Sequence, residues 1–118
     1  MTIDNNLLNE LLDEAKASPR LRINRDLRNS ELDGSQRILN AVLPGTVVPI
    51  HRHRNSSETV VLLWGSLEEV FFNDKGVECG RCLLDKDNAY GVNIPKGQWH
   101  TIVVHEPSVI LETKDGAY

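Results

Sequence analysis

No stretch of this 118-residue chain is apolar for anything like the roughly 20 residues that a bilayer-spanning helix needs, so a helical membrane anchor is excluded. Basic residues are also outnumbered: 13 Lys and Arg stand against 17 Asp and Glu, for a net charge of −4 and a pI near 5.5. A chain of that sign offers no electrostatic footprint to a phosphate backbone, which removes nucleic acid as a partner. The first residues, MTIDNNLLNELLDEAK, are acidic and polar where a secretory leader would be basic and then greasy, and a cytoplasmic location is expected. Only two cysteines occur, Cys79 and Cys82, in VECGRC. A zinc ribbon would need a second such pair and a redox motif a βαβ setting, and both are missing. In a strand, residues three apart face opposite sides, so the expectation is two unpaired thiols with one packed in the core. No repeat, linker or low-complexity tract divides the chain. With 40% apolar and 25% charged residues, it suits one domain with one modest core.

What is present begins with a helix. Leu7, Leu8, Leu11, Leu12 and Ala15 recur at helical spacing and predict an amphipathic helix over residues 4–17. Asp4 is placed to cap it, Ile3 and Leu8 to staple it, and Ser18-Pro19 to end it. Next comes RLRINRDLRN, with four arginines and one aspartate. It reads either as a solvated linker or as a basic strap that holds an anion, because guanidinium forks match carboxylate and phosphate. From residue 35 the signal changes to short runs of β-formers cut by turn residues: 36–43, 46–53, 58–64, 67–73, 77–84, 90–94, 99–104 and 109–113. That pattern predicts an all-β antiparallel sandwich or closed barrel carrying one N-terminal α-helix. In ETVVLLW both faces are largely apolar, with Glu58, Val60, Leu62 and Trp64 on one and Thr59, Val61 and Leu63 on the other. Both therefore need cover, from the helix stripe or from a second subunit in a homodimer.

The residues that carry chemistry cluster in PGTVVPIHRHRNSSETVVLLWG. His51 and His53, two apart in an extended segment, project their imidazoles from one face. RNSS turns the chain back, and Glu58 opens the next run. His100 begins another after the tight turn PKGQ. A single strand histidine is ordinarily a hydrogen-bonded structural residue, and an HxH pair alone is weak evidence. The complete spacing is not weak: Gly45, five residues, His51-x-His53, four residues, Glu58, six residues, Gly65, then Pro95-x-Gly97-x-x-His100. Three imidazoles and one carboxylate suit one divalent transition ion, with Fe, Mn, Zn or Ni as candidates. On an octahedral ion that set leaves two open positions, as reactive sites require.

These motifs resemble the cupin superfamily, small antiparallel β-barrels (jelly rolls) with a metal held inside. The first cupin motif is matched from Gly45 to Gly65 and the second at Pro95, Gly97 and His100. Ala89 and Val104 depart from it, where glycine and asparagine are common. Further along the chain, LLDEAKASPRLRIN, SQRILNAVLPGTVVPIHRH and LETKDGAY resemble the WbuC-type cupin fold metalloproteins, which are associated with surface-polysaccharide gene clusters. The resemblance implies a helix and arginine-rich strap over residues 1–34 packed on a barrel over 35–118. It also implies metal ligation by His51, His53, Glu58 and His100.

The activity expected is that of a metal-dependent enzyme acting on a sugar or other small polar or anionic metabolite, as an isomerase, epimerase or oxygenase (dioxygenase). The alternative is a non-catalytic metal-dependent binding or sensing module. Candidate substrate residues are Arg20, Arg22 and Asn24 in the strap, and Trp64 and Tyr90, whose rings suit a sugar face; core packing is the competing role for the aromatics. Trp64 is expected to face inward with Glu58. His105 falls on the strand face opposite His100 and is expected to point outward.

Overall fold

The computed structural model describes residues 1–116. Ala117 and Tyr118, which end the family-like LETKDGAY stretch, lie outside the described residues. Helix α1 spans Asn5–Ala17, and six strands follow: β1 (Arg22–Asp26), β2 (Ser35–Val42), β3 (Glu58–Phe72), β4 (Glu78–Asp85), β5 (Gly91–Ile94) and β6 (Trp99–Asp115). All pairings among these strands are antiparallel, in the order β1-β2-β6-β3-β4, with β5 also on β3. The expected all-β architecture with one N-terminal helix is what the chain adopts.

Helix α1 starts where Asp4 accepts a hydrogen bond from the Leu7 N–H at 3.0 Å, and it ends at Ser18. Its stripe of Leu7, Leu8, Leu11, Leu12 and Ala15 is buried against Leu39, Ala41, Leu43 and Val109, with Leu63 packed at the margin. The helix thus covers the outer face of β2 and β6 but reaches only Leu63 of the outward β3 side chains, leaving Thr59 and Val61 exposed. Arg25 of β1 reaches back to Glu14 at 3.3 Å and Glu10 at 3.7 Å, fixing the helix along the sheet edge. The segment read as linker or strap is in part an edge strand: β1 pairs with β2 from Arg22↔Val42 to Asp26↔Ile38. A second apolar cluster fills the inside, with Val42, Val60, Leu67, Leu84, Ile94, Val104 and Ile110 at its centre.

Three expectations about the strands are corrected. Residues 46–53 form no strand; only His51 makes an isolated bridge, to His100. Pro49 has no N–H to give a ladder, and Val47 and Ile50 are exposed, so this segment gains nothing by joining a sheet edge. The turn expected at Gly65-Ser66 is instead a bulge inside one 15-residue strand, and the stop expected at Glu106-Pro107 is a bend inside the 17-residue β6. The eight expected runs therefore become five strands, because one forms no strand and two breaks redirect the chain without ending the pairing; the sixth strand, β1, comes from the strap.

The third correction follows from the second. Between Leu62 and Leu67 the β3–β6 register shifts three times. Alternation is broken there, so Trp64 does not share the inward face of Glu58; it is 57% exposed. Gly65 takes φ +95°, and a side chain on it would overlap the Pro107 carbonyl oxygen and the Ser108 hydroxyl. Ser108 Oγ accepts from the Ser66 N–H (3.0 Å) and donates to the Glu106 carbonyl oxygen (2.7 Å), closing the bend with buried hydrogen bonds. Beyond it, Leu67 lies in the inner core and Glu69 turns inward while Glu68 stays on the outside.

Candidate metal centre

His51 and His53 ride on the irregular segment between β2 and β3, which is pinned from several sides. The Thr101 hydroxyl donates to the Val48 carbonyl oxygen (2.6 Å), Arg22 Nη1 donates to the Val47 carbonyl oxygen (2.6 Å), and the Thr46 hydroxyl donates to the Arg20 carbonyl oxygen (2.7 Å). His51 and His100 exchange both backbone hydrogen bonds, and the Gly97 N–H donates to the His53 carbonyl oxygen. Strand order is thus replaced by a set of individual ties.

The result brings three imidazoles together. A ring nitrogen of each of His51, His53 and His100 lies within 4.8 Å of the others. Two tautomers are set by the backbone. His51 Nδ1 sits 2.8 Å from the Pro49 carbonyl oxygen and His100 Nδ1 2.9 Å from that of Gln98; a carbonyl only accepts, so each Nδ1 carries the proton. Each Nε2 then keeps its lone pair for a cation. Burial holds His53 down to about 4, with Lys114 and the other imidazoles adding to the effect, and burial also lowers His100. Both rings are neutral at pH 7, as ligation requires.

Glu58, 3% exposed, lies beside His53 but outside the group of three mutually close ring nitrogens. Its Oε2 lies 2.8 Å from His53 Nε2 and 4.0 Å from Lys114 Nζ, yet no hydrogen bond reaches that oxygen among the described residues. A buried acceptor aimed at a ring nitrogen without hydrogen-bond geometry is what a shared cation would resolve. By this measure the residues present fit a divalent ion.

The cluster opens into a cavity of about 180 Å³, with Asn40, Val42, Ile102, Ile110 and Arg22 on its walls and two carboxylates, Glu69 and Glu112, facing in. Burial, reinforced by Glu112 and Glu58, pushes Glu69 up to about 9. Burial and Glu58 raise Glu112 to about 7, against the pull of Lys114 and a hydrogen bond from Asn40. Burial raises Glu58 as well, with Lys114 opposing. Sequence reasoning missed Glu69 and Glu112. Glu112 faces inward two residues from Ile110, a signal available by alternation, whereas the bulge at Gly65 hid Glu69.

The candidate substrate residues divide. Arg22 lines the cavity, with its guanidinium tied to Val47. Arg20 and Asn24 are exposed and do not line it. Trp64 and Tyr90 are brought together, but on a different surface depression and at 57% and 70% exposure, so neither stands in the core or at the imidazoles. His105 points outward and pairs with Glu68 at 2.7 Å. Cys79 is exposed and Cys82 packs against the inner cluster; both are free thiols. Among the described residues no helix is long and apolar enough to cross a membrane.

A family model described as "Domain of unknown function (DUF6016)" matches residues 3–84, a span that holds the helix, β1 and His51, His53 and Glu58 but stops short of His100. No curated protein matches the chain by sequence. Among solved structures the chain is similar to KdgF from Halomonas sp., at TM-score 0.63 and 15% identity over 86% of this chain and 84% of that one. It is similar to oxalate oxidase in complex with the substrate analogue glycolate, at TM-score 0.66 and 17% identity over 85% and 53%. A third likeness is to the capsular polysaccharide assembling protein CapF from Staphylococcus aureus, at TM-score 0.62 and 21% identity over 71% and 23%. The chain thus spans about half of the oxalate oxidase and under a quarter of CapF. At these identities the likeness establishes the fold, an antiparallel cupin barrel.

Proposed function

The chain belongs to the family described as Domain of unknown function (DUF6016), and from that premise we propose that it is a metal-dependent cupin enzyme that isomerises or epimerises a sugar or similar small polar metabolite. His51, His53, Glu58 and His100 hold the ion in this reading. The observation that carries it is the convergence of three imidazoles, two of them lining a cavity whose wall also bears two buried carboxyls with raised affinity for protons.

A divalent ion bound there supplies Lewis acidity to a carbonyl or hydroxyl oxygen. The chain's own residues do the rest. Glu112, buried on the cavity wall, is placed to take a proton from carbon or oxygen and return it. Glu69, whose burial favours the protonated form, is placed to donate a hydrogen bond to a substrate oxygen. The aliphatic walls, Val42, Ile102 and Ile110, keep water away from the exchanging proton. At about 180 Å³ the cavity suits one monosaccharide-sized molecule. Proton-moving groups beside a Lewis-acid site favour isomerase chemistry over oxygenase chemistry.

The likeness to a capsular polysaccharide assembling protein and the WbuC-like flanking stretches support a role in surface-polysaccharide metabolism. The test is elemental analysis of protein purified without chelators, followed by turnover of candidate sugars and sugar acids in deuterated water after restoring Fe, Mn, Zn or Ni. About one ion per chain and deuterium incorporation, both lost in His51→Ala, are expected. Metal loading and sugar binding without exchange would favour the non-catalytic binding module, and protein that takes up no metal would remove both readings.

A further inference from the structure

Two of the chain's six aromatic side chains, Trp64 and Tyr90, stand exposed around one depression on the outside of the protein, away from the imidazoles. That open depression measures about 600 Å³, over three times the volume of the metal-centre cavity, and its rim also carries Asp85, Lys86, Asp87 and Glu106. We propose that this groove is a second binding surface for an uncharged oligosaccharide.

Rigidity comes first. Trp64 is turned outward by the β3 bulge and paired with Val109, and the Leu62 N–H holds the Tyr90 carbonyl oxygen at 2.7 Å, so the two rings are carried by adjacent, hydrogen-bonded chain segments. An indole 57% exposed and a phenol 70% exposed forgo the burial that such side chains usually obtain. Their flat apolar faces match the C–H faces of pyranose rings. Carboxylates accept hydrogen bonds from sugar hydroxyls; Asp87 and Glu106 are exposed for this, while Asp85 already accepts the Asp87 N–H at 3.0 Å.

Charge narrows the ligand. Three carboxylates against one ammonium make the groove negative, which disfavours uronic or phosphorylated glycans and leaves neutral sugars. The same charge argues against a second copy of this chain as the occupant. A two-fold interface centred here would set two identical acidic rims against each other, and interface cores are depleted of charge.

Amide chemical-shift titration of the full chain with maltotriose, with N,N′-diacetylchitobiose and with trigalacturonic acid tests this surface independently of the metal centre. Saturable shifts confined to residues around 62–66 and 85–90 are expected for at least one of the first two sugars. The affinity should fall at least tenfold in Trp64→Ala and in Tyr90→Ala, stay unchanged in His51→Ala, and be at least tenfold weaker for the acidic trimer. The proposal is overturned if neither neutral sugar saturates, if both aromatic variants bind as the parent does, or if the acidic trimer binds equally well. A dimer that dissociates in Trp64→Ala during sedimentation would likewise overturn it, showing the groove to be a contact between copies. Both aromatics are exposed, so these variants should fold, which far-ultraviolet circular dichroism checks.

Discussion

On β2, Leu39 and Ala41 lie under the helix while Asn40 and Val42, their immediate neighbours, line the cavity; on β6, Val109 packs against the helix while Ile110 and Glu112 face in. The same strands therefore carry a purely aliphatic layer on one side and, on the other, imidazoles and carboxyls that are costly to bury. Stability is concentrated outside and chemistry inside, with a period of two residues separating them. The inner groups are tolerated because the outer face, closed by a helix with two fully buried positions at Leu11 and Ala15, stabilises the barrel enough to hold them.

That contrast can be broken most strongly from the outside. Leu11→Ala should cost about 2–5 kcal/mol in a urea melt, while metal stoichiometry at 25 °C stays unchanged. At the crossing point between the two halves, Gly65→Ala should affect both faces. The left-handed backbone alone costs about 1–3 kcal/mol, and the overlap with Pro107 and Ser108 displaces the start of the inward Glu69 segment. A melt combined with metal analysis should show both losses.

From the inside, substitution should stabilise. Glu69 binds its proton more tightly when folded, about 9 against the ordinary 4.5. Its contribution is complete below the unfolded value and is lost as pH rises toward 9, at a rate of order 1 kcal/mol per pH unit. The neutral histidines act in the opposite direction, costing stability only below about 6.5. In metal-free protein, melts between pH 7 and 9 should therefore show stability falling in the parent and a flatter profile in Glu69→Gln. The smallest effect belongs to the helix end: Asp4→Ala removes one cap, at about 1 kcal/mol, with no change in metal loading.

The helix, its cap and the helix stripe were legible in the sequence because they depend on neighbours within four residues. The ligand candidates were legible because a fixed motif spacing marks them, and their convergence in space follows that marking. What the local pattern does not contain is where a strand bends and continues. Gly65 and Pro107 read as punctuation, and only pairing between residues some forty positions apart makes them a bulge and a bend within unbroken strands. That shift of register decided the rest: it turned Trp64 out toward a groove with Tyr90 and Glu69 in toward the imidazoles. Independently of that shift, the pairing of β1 with β2 places Arg22 on the cavity wall, tied to the loop that bears His51. A side chain's face is set by counting from its hydrogen-bonded partner, and the partner is chosen by the tertiary fold.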